Sequence, residues 1–458
     1  MKLFKELKKK MLQNPTGKIS EGTADLTFEE SVIFAEHFAR NLKGLRCCAI
    51  LCSSEMNAAL SLLACFAAGV TALPLPARYG SAYTLKILRK ICPDAALTDW
   101  GGKLTIWDFH DRKYAPPSKH PALILCTSGT TGEPKGILLS EGNILQNILG
   151  ICRYFGIDKN DALLIARPLY HAAVLTGEFL TALFKGTNIR FYSGAFNPAL
   201  LLRQMKNDRI TAFCGTPTQL SAIAAFVRGD GIETLRHLTI SGECMSAGTA
   251  QKIRRAFPYC RIYHVYGQTE AAPRVSYLPP EYFDRFPDCV GRPLPGIRVR
   301  ILDEHGLPCP AGREGRLFIR GRNVMLGYYR DKKRTRKTLR GGWLRTGDIA
   351  LWNEAGFLKI KGRADDLIIR AGMNIYPAEI EAALKNDPRV REVMAYGRKT
   401  GNDTQIALKI SGDFRDTEEV LQLCRKLLPP FQMPLFVELL CKLPKNESGK
   451  IPRKGEGT

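Results

Sequence analysis

Between residues 26 and 267, short apolar runs take turns with helical stretches, and this alternation most limits the folds open to the chain. LTFEESVIFAEHFARNL (26–42) carries helical spacing, and Thr27 with Glu30 three residues later makes a capping box. CCAILC (47–52) and TALPLP (71–76) read as strands. The pattern continues through LLIARPLY (163–170), NIRFYS (188–193), ITAFCGTP (210–217), HLTISGE (237–243) and RIYHVYG (261–267). Such repetition predicts an α/β protein with largely parallel sheets, whose ligands gather beyond the strands' C-terminal ends. Several glycine-rich punctuations sit just after those strands.

After about residue 285 the character changes. VGRPLPGIRVRILDEHGLP, GREGRLFIRG and GFLKIKG alternate strand-like runs with turn residues, which reads as a β-rich subdomain over about 285–362. GRADD (362–366) then leads into a compact α+β unit. It reads as a strand–turn, a helix over 377–386, strands over 390–397 and 405–411, a helix over 417–428, and a polar end. The expected division is a large domain, 1–362, and a small one, 363–458.

Composition excludes several classes. Fourteen cysteines without a C-x-x-C pair argue against zinc ribbons, thioredoxin chemistry and a disulfide scaffold. Scattered thiols such as Cys47, Cys48 and Cys214 read as buried small hydrophobes in a reducing cytoplasm. MKLFKELKKKMLQ is charged with no apolar run behind it, so no signal peptide is read. AALSLLACFAAGVTALPLP (58–76) approaches membrane-spanning length, but Ser61, Gly69, Thr71 and Pro74 interrupt it. It reads as a buried helix and a short strand.

The net charge of +23 suits nucleic acid, a membrane surface or anionic small molecules. No zinc finger, RNP-like strand or long basic tail supports a nucleic-acid role. From Arg363 onward, 16 basic residues face 14 acidic ones, so the excess charge lies earlier. Its densest cluster is YYRDKKRTRKTLR (328–340), read either as a solvated helix face or as a patch attracting a phosphorylated cofactor or an acidic carrier protein.

CTSGTTGEPKG (126–136) follows the strand-like ALILC. Glycine-freed N–H groups and Ser/Thr hydroxyls make an anion nest, to which Lys135 adds a point charge. It is not the G-x-x-x-x-G-K-[ST] loop: Gly129 and Gly132 are three apart, and Gly136 stands where a hydroxyl residue would bind magnesium. YGQTE (266–270) offers an aromatic face for a base and a carboxylate for a divalent cation. WLRTGD (343–348) sets an aspartate on a glycine turn, where it can accept from the vicinal hydroxyls of a ribose. PLYH (168–171) ends a strand in a histidine. Singly, each of these is weak.

Their joint order resembles the adenylate-forming superfamily of acyl-CoA synthetases, adenylation domains and luciferases, over essentially residues 26–454. TSGTTGEPKG looks like its phosphate loop and YGQTE like its adenine and magnesium motif. GRPLPG (291–296), NVMLGYY (323–329), GGWLRTGD, KGRADDLIIRAGMNIYPAEIE (361–381) and PKNESGKIPRK (444–454) follow in family order.

The resemblance implies an ATP-dependent acid–thiol ligase that makes an acyl-adenylate and then a thioester with coenzyme A. Its runner-up is an acyl-AMP ligase loading an acidic carrier protein. A non-catalytic adenylate-binding protein is a further class. Thr127, Ser128, Gly129, Thr130, Thr131 and Gly132, with Lys135, would hold the β- and γ-phosphates of ATP. Thr127 and Glu270 resemble the magnesium contacts. Tyr266, in the segment with Gly267, Gln268 and Thr269, would lie against adenine. Asp348, assisted by Arg363, would grip the ribose. Asp365 matches the hinge before a mobile small domain. Lys450 matches the lysine that bridges the acyl carboxylate and the α-phosphate.

His171 resembles the histidine of acyl- and aryl-CoA synthetases and, with Ser241, Gly242 and Glu243, would border the acid. Arg274 reads as a surface arginine or as a partner for a polar or anionic substrate group. Two departures stand out. Glu141 occupies a position where members often have histidine, so it is given no role, and the basic 330–340 stretch replaces a commonly acidic one.

Overall fold

The strands predicted before residue 267 fall into two sheets, with helices packed between them. In this computed structural model, residues 2–77, 81–100, 103–109, 114–117, 120–128, 134–229, 231–370, 373–400 and 403–444 are described. The nine-stranded sheet has a parallel centre. Arg261–Gly267, His237–Ile240, Ala212–Gly215, Ala162–Ile165, Asn188–Phe191 and Lys18–Glu21 lie side by side in that order. Antiparallel strands flank it, Arg274–Leu278 at one side and Ala24–Thr27 at the other. The seven-stranded sheet pairs Ala95–Trp100, Cys47–Leu51, Thr71–Pro74 and Leu123–Ser128 in parallel. Pro134–Leu139 returns antiparallel to Leu123–Ser128, with Gly327–Tyr328 beyond it.

Helices Lys2–Met11, Phe28–Ala39, Glu55–Ala68 and Glu141–Cys152, with the helical run 172–185, share one core with both sheets. Leu3, Phe28, Leu62, Ile148 and Phe179 pack there with Leu123, Leu163 and Phe191. Sheets covered on both faces need strands without polar alternation, which is why the runs read as continuously apolar. Glu55–Ala68 is enclosed on all sides: Leu60 through Phe66 are each at most 4% exposed. It starts on Ser54, whose hydroxyl accepts from Asn57 N–H, and stops at Gly69 in the left-handed region. No described helix is long and apolar enough to cross a membrane. The Thr27–Glu30 capping box forms on Phe28–Ala39. All fourteen cysteines are free, and Cys47, Cys48 and Cys214 are buried.

A five-stranded sheet follows, with Arg298–Leu302, Gly315–Arg320 and Trp343–Trp352 antiparallel in turn and Leu358–Arg363 beside the last. The C-terminal unit has its own core, in which Ile380, Leu384, Val393, Leu408, Val420 and Leu423 meet. Its third strand, Phe436–Leu439, comes from the end read as merely polar and pairs parallel to Asp403–Gly412. Four residues, one of them Glu438, are too few to show a period. Asn386 Oδ1 accepts from Ser246 Oγ at 2.7 Å, and Lys385 Nζ donates to Thr218 Oγ1 at 3.3 Å, so this unit leans on the large domain.

His264, inside strand Arg261–Gly267, is buried with Nδ1 3.1 Å from the Pro287 carbonyl, and burial pulls its pKa down to about 4. The unfolded chain protonates this imidazole near 6.5 while the folded chain keeps it neutral, so acid favours unfolding. The unfolding free energy from urea titrations should fall as pH drops from about 6.5 toward 4, by up to roughly 3 kcal/mol from this residue. His264→Gln should flatten that part of the profile.

Candidate active site

The phosphate-loop segment is a hairpin. Leu123–Ser128 pairs with Pro134–Leu139 so that Thr127 faces Lys135 across the register and Ser128 faces Pro134. Its tip, with Gly129, Thr130, Thr131 and Gly132, lies outside the described residues, as does Lys450. Lys135 is half-buried, and burial lowers its pKa; Glu270 and Asp365 oppose that shift while Arg334 and Arg363 add to it. Five residues from four separated segments therefore share one electrostatic neighbourhood.

At its centre stands Asp348, only 7% exposed. Arg363 Nη1 donates to its Oδ1 at 3.1 Å, and the Tyr266 hydroxyl donates to Oδ2. Asp348 and Arg363 are register partners on adjacent strands. Gly347 sits at φ +81°, and a Cβ there would stand 2.6 Å from Arg363 Nη2. Glycine thus supplies both the left-handed turn and the space for the guanidinium. Burial raises the Asp348 pKa against the pull of Arg363 and Tyr266. Thr346, which the sequence did not single out, anchors the turn: its hydroxyl accepts from Asp348 N–H at 3.0 Å and its carbonyl accepts from Arg363 at 2.9 Å.

Glu270 is the middle residue of the short turn Thr269–Ala271, beyond strand Arg261–Gly267. Its Oε1 accepts from the Tyr328 hydroxyl at 3.0 Å, and its carbonyl accepts from Met325 N–H at 2.9 Å. Tyr328, in the NVMLGYY block, escaped individual notice because a tyrosine in a two-residue strand has no periodic signal. Arg334 lies over its ring, 5.9 Å from the centroid. Beside Glu270, Gln268 Nε2 is buried without a partner, a donor left over for a ligand.

The residues expected around the acid divide. Ser241 is buried, with Oγ 3.5 Å from Arg167 Nη1. Gly242 is at φ +97°. Glu243 is exposed; it accepts from Thr218 Oγ1 at 2.6 Å and faces Lys385 of the C-terminal unit at 3.9 Å. His171 heads the run 172–185, exposed, with its ring 4.4 Å from that of Tyr170. Arg274 is not on the surface: it is 3% exposed, turned into the layer between the nine-stranded sheet and that run. The surface reading fails because a lone arginine after a turn carries no periodicity to mark its face. The basic stretch forms helix Lys332–Thr338, capped by Asp331, with Lys332, Lys333, Arg336 and Lys337 outward and Arg334 turned to Tyr328.

A large α/β domain followed by a separate C-terminal unit is the arrangement of adenylate-forming enzymes. The chain belongs to the AMP-binding enzyme family, which matches residues 18–329, and the AMP-binding enzyme C-terminal domain matches 379–450. A feruloyl-CoA synthase of an Amycolatopsis species is 34% identical over 73% of this chain and 68% of its own length. A 2-succinylbenzoate–CoA ligase of Bacillus licheniformis is 30% identical over 95% of both chains. Among solved structures, ATP-bound MatB from Rhodopseudomonas palustris superposes with a TM-score of 0.85 at 26% identity, covering 98% of this chain and 97% of that one. The o-succinylbenzoate CoA synthetase MenE of Bacillus subtilis, with its acyl-adenylate, reaches 0.86 at 24% identity, covering 98% and 96%, and shares the fold. The protein is an ATP-dependent acid–thiol ligase of the AMP-forming, acyl-CoA synthetase type.

Tyr328→Phe removes the hydrogen bond that holds the Glu270 carboxylate. It should lower kcat/KM for adenylate formation by about tenfold while leaving the urea midpoint nearly unchanged.

Proposed function

We propose that the cluster around Asp348, Glu270 and Lys135 is where a carboxylic acid is joined to the α-phosphate of ATP before passing to coenzyme A. The observation that carries this reading is the convergence of Lys135, Tyr266, Glu270, Asp348, Arg363 and Asp365 on one neighbourhood. A carboxylate oxygen attacks the α-phosphorus, the α–β bridge breaks, and pyrophosphate leaves. A thiol sulfur then attacks the acyl carbonyl, and AMP leaves with the bridging oxygen. The protein's task is to hold anions together and aim donors at developing charge.

In this reading Asp348 orients the ribose, Arg363 holds that carboxylate in place, and Tyr266 presents its ring to adenine. Lys135 and the loop 127–132 retain the leaving pyrophosphate, and Lys450 bridges the two reacting anions. His171, Ser241, Gly242 and Glu243 would border the acid. Glu270 and the Thr127 hydroxyl are hard oxygen donors, and one or two protein oxygens plus substrate phosphates suit magnesium. No group of three or more His, Cys, Asp or Glu residues that could hold a metal occurs among the described residues. When bound, magnesium would neutralise phosphate charge. We place the hinge at Asp365, between strands Leu358–Arg363 and Ile368–Arg370, and the domain boundary at 362/363. The free thiols suit a cytoplasmic location.

An acidic carrier protein in place of free coenzyme A draws on one specific observation, the outward Lys332, Lys333, Arg336 and Lys337. Neutralising Lys332, Lys333 and Lys337 should raise KM for the favoured thiol several-fold at low ionic strength. An unchanged KM makes the helix a solvated face. Lys450→Ala should abolish acyl-AMP formation, a loss of at least 10²-fold, while thioester formation from supplied acyl-AMP survives. Equal loss of both steps would remove the assigned role of Lys450.

A further inference from the structure

Away from the phosphate hairpin, the helical run 172–185 and the nine-stranded sheet enclose a group of charges left incomplete. Glu178 is 1% exposed; its Oε1 accepts from Arg167 Nη2 and its Oε2 has no partner. Arg167 Nε, also buried, has no partner either. Arg274 forms no ion pair among the described residues, and its Nε is buried and unpartnered. Its backbone is fixed instead: Asn147 donates to its carbonyl at 2.7 Å and accepts from its N–H at 3.0 Å. That clamp sends the side chain across to the helical run, where a Cβ at Gly177 would stand 2.9 Å from Arg274 Nη2. The same stretch, Leu175–Leu180, is a π-helical turn, a departure from α-geometry that frequently marks functional positions.

The three groups sense one another. Arg167 and Arg274 both act against the burial that raises the Glu178 pKa, and all three bear on Cys214 in the adjacent strand. With Glu178 ionised the group carries a net +1, and with Glu178 protonated +2. Water entering the space would satisfy hydrogen bonds and leave that charge uncompensated; a buried uncompensated charge is strongly unfavourable. A structural arginine in such a place would be paired. Here only Arg167 is paired, and Arg274 has no carboxylate of its own among the described residues.

We propose that this group binds a second carboxylate of the acid substrate, making the enzyme a ligase for dicarboxylic acids. The inference rests on the proposed function and adds the substrate class. Its location favours the far end of the acid: Arg167 lies four residues before His171, its Nη1 reaches Ser241, and Arg274 lies four residues beyond Glu270. Arg274 is the residue with donors to spare, and a planar guanidinium matches a carboxylate in two parallel hydrogen bonds. Glu178 positions Arg167 and sets the deficit at one charge, so a monoanionic end group completes it.

The test is ATP–pyrophosphate exchange by the full chain with a series of aliphatic and aromatic dicarboxylic acids. Each is paired with its monoamide and with the monocarboxylic acid of equal length. The wild-type protein should use at least one diacid with kcat/KM about a hundredfold above its monoamide. Arg274→Met should shrink that ratio below about ten through KM for the diacid, with KM for ATP unchanged, and Gly177→Ala should shift it the same way by displacing the guanidinium. Monoamides or monocarboxylates that match or exceed the diacids in the wild-type protein overturn the inference while leaving the ligase reading intact, and so does an Arg274→Met ratio equal to wild type. Exchange with no carboxylic acid at all overturns the ligase reading itself.

Discussion

One buried carboxylate joins three parts of the chain that the sequence keeps apart. Asp348 belongs to the five-stranded sheet, takes a hydrogen bond from Tyr266 of the nine-stranded sheet, and is paired to Arg363, the last residue before the turn 364–366. Hydrogen bonds to a buried charge are about twice as strong as neutral ones, and an unpaired buried carboxylate is correspondingly costly. The relative placement of strand Arg261–Gly267, the β-rich subdomain and the turn 364–366 therefore hangs on this residue. The same geometry requires glycine at 347: only a residue lacking Cβ leaves room for the Arg363 guanidinium.

A second charged layer lies behind the first. Around the half-buried lysine, the positive charges of Lys135, Arg334 and Arg363 are matched by Glu270, Asp365 and Asp348, with Tyr328 holding Glu270. The enclosed trio of Arg167, Glu178 and Arg274 is not balanced in this way. The contrast separates a matched set of charges, the one proposed to meet the nucleotide, from a smaller set with one positive charge in excess.

Much of this was legible in the sequence because it rests on periodicity or on spacing. Continuous apolar runs marked the strands that both layers cover, and Thr27 with Glu30 marked a helix start that forms as read. Asp348, Arg363, Tyr266 and Glu270 were found through blocks whose order is specific. What stayed hidden depends on where single side chains point. Tyr328 and Thr346 act through one hydrogen bond or two, Arg167 sat in a run read only as strand, and Glu178 lay in a helical stretch with no motif. Arg274 was weighed as a surface residue, since no local pattern reports that Asn147, 127 residues earlier, clamps its backbone. Strand Phe436–Leu439 was missed for want of length.

The account turns on a carboxylate oxygen bonding to the α-phosphorus, and oxygen transfer tests that most directly. An accepted acid labelled with ¹⁸O in both carboxylate oxygens should yield AMP carrying one labelled oxygen and unlabelled pyrophosphate when ATP and coenzyme A are turned over. Label in pyrophosphate, or formation of ADP and inorganic phosphate instead, would contradict it.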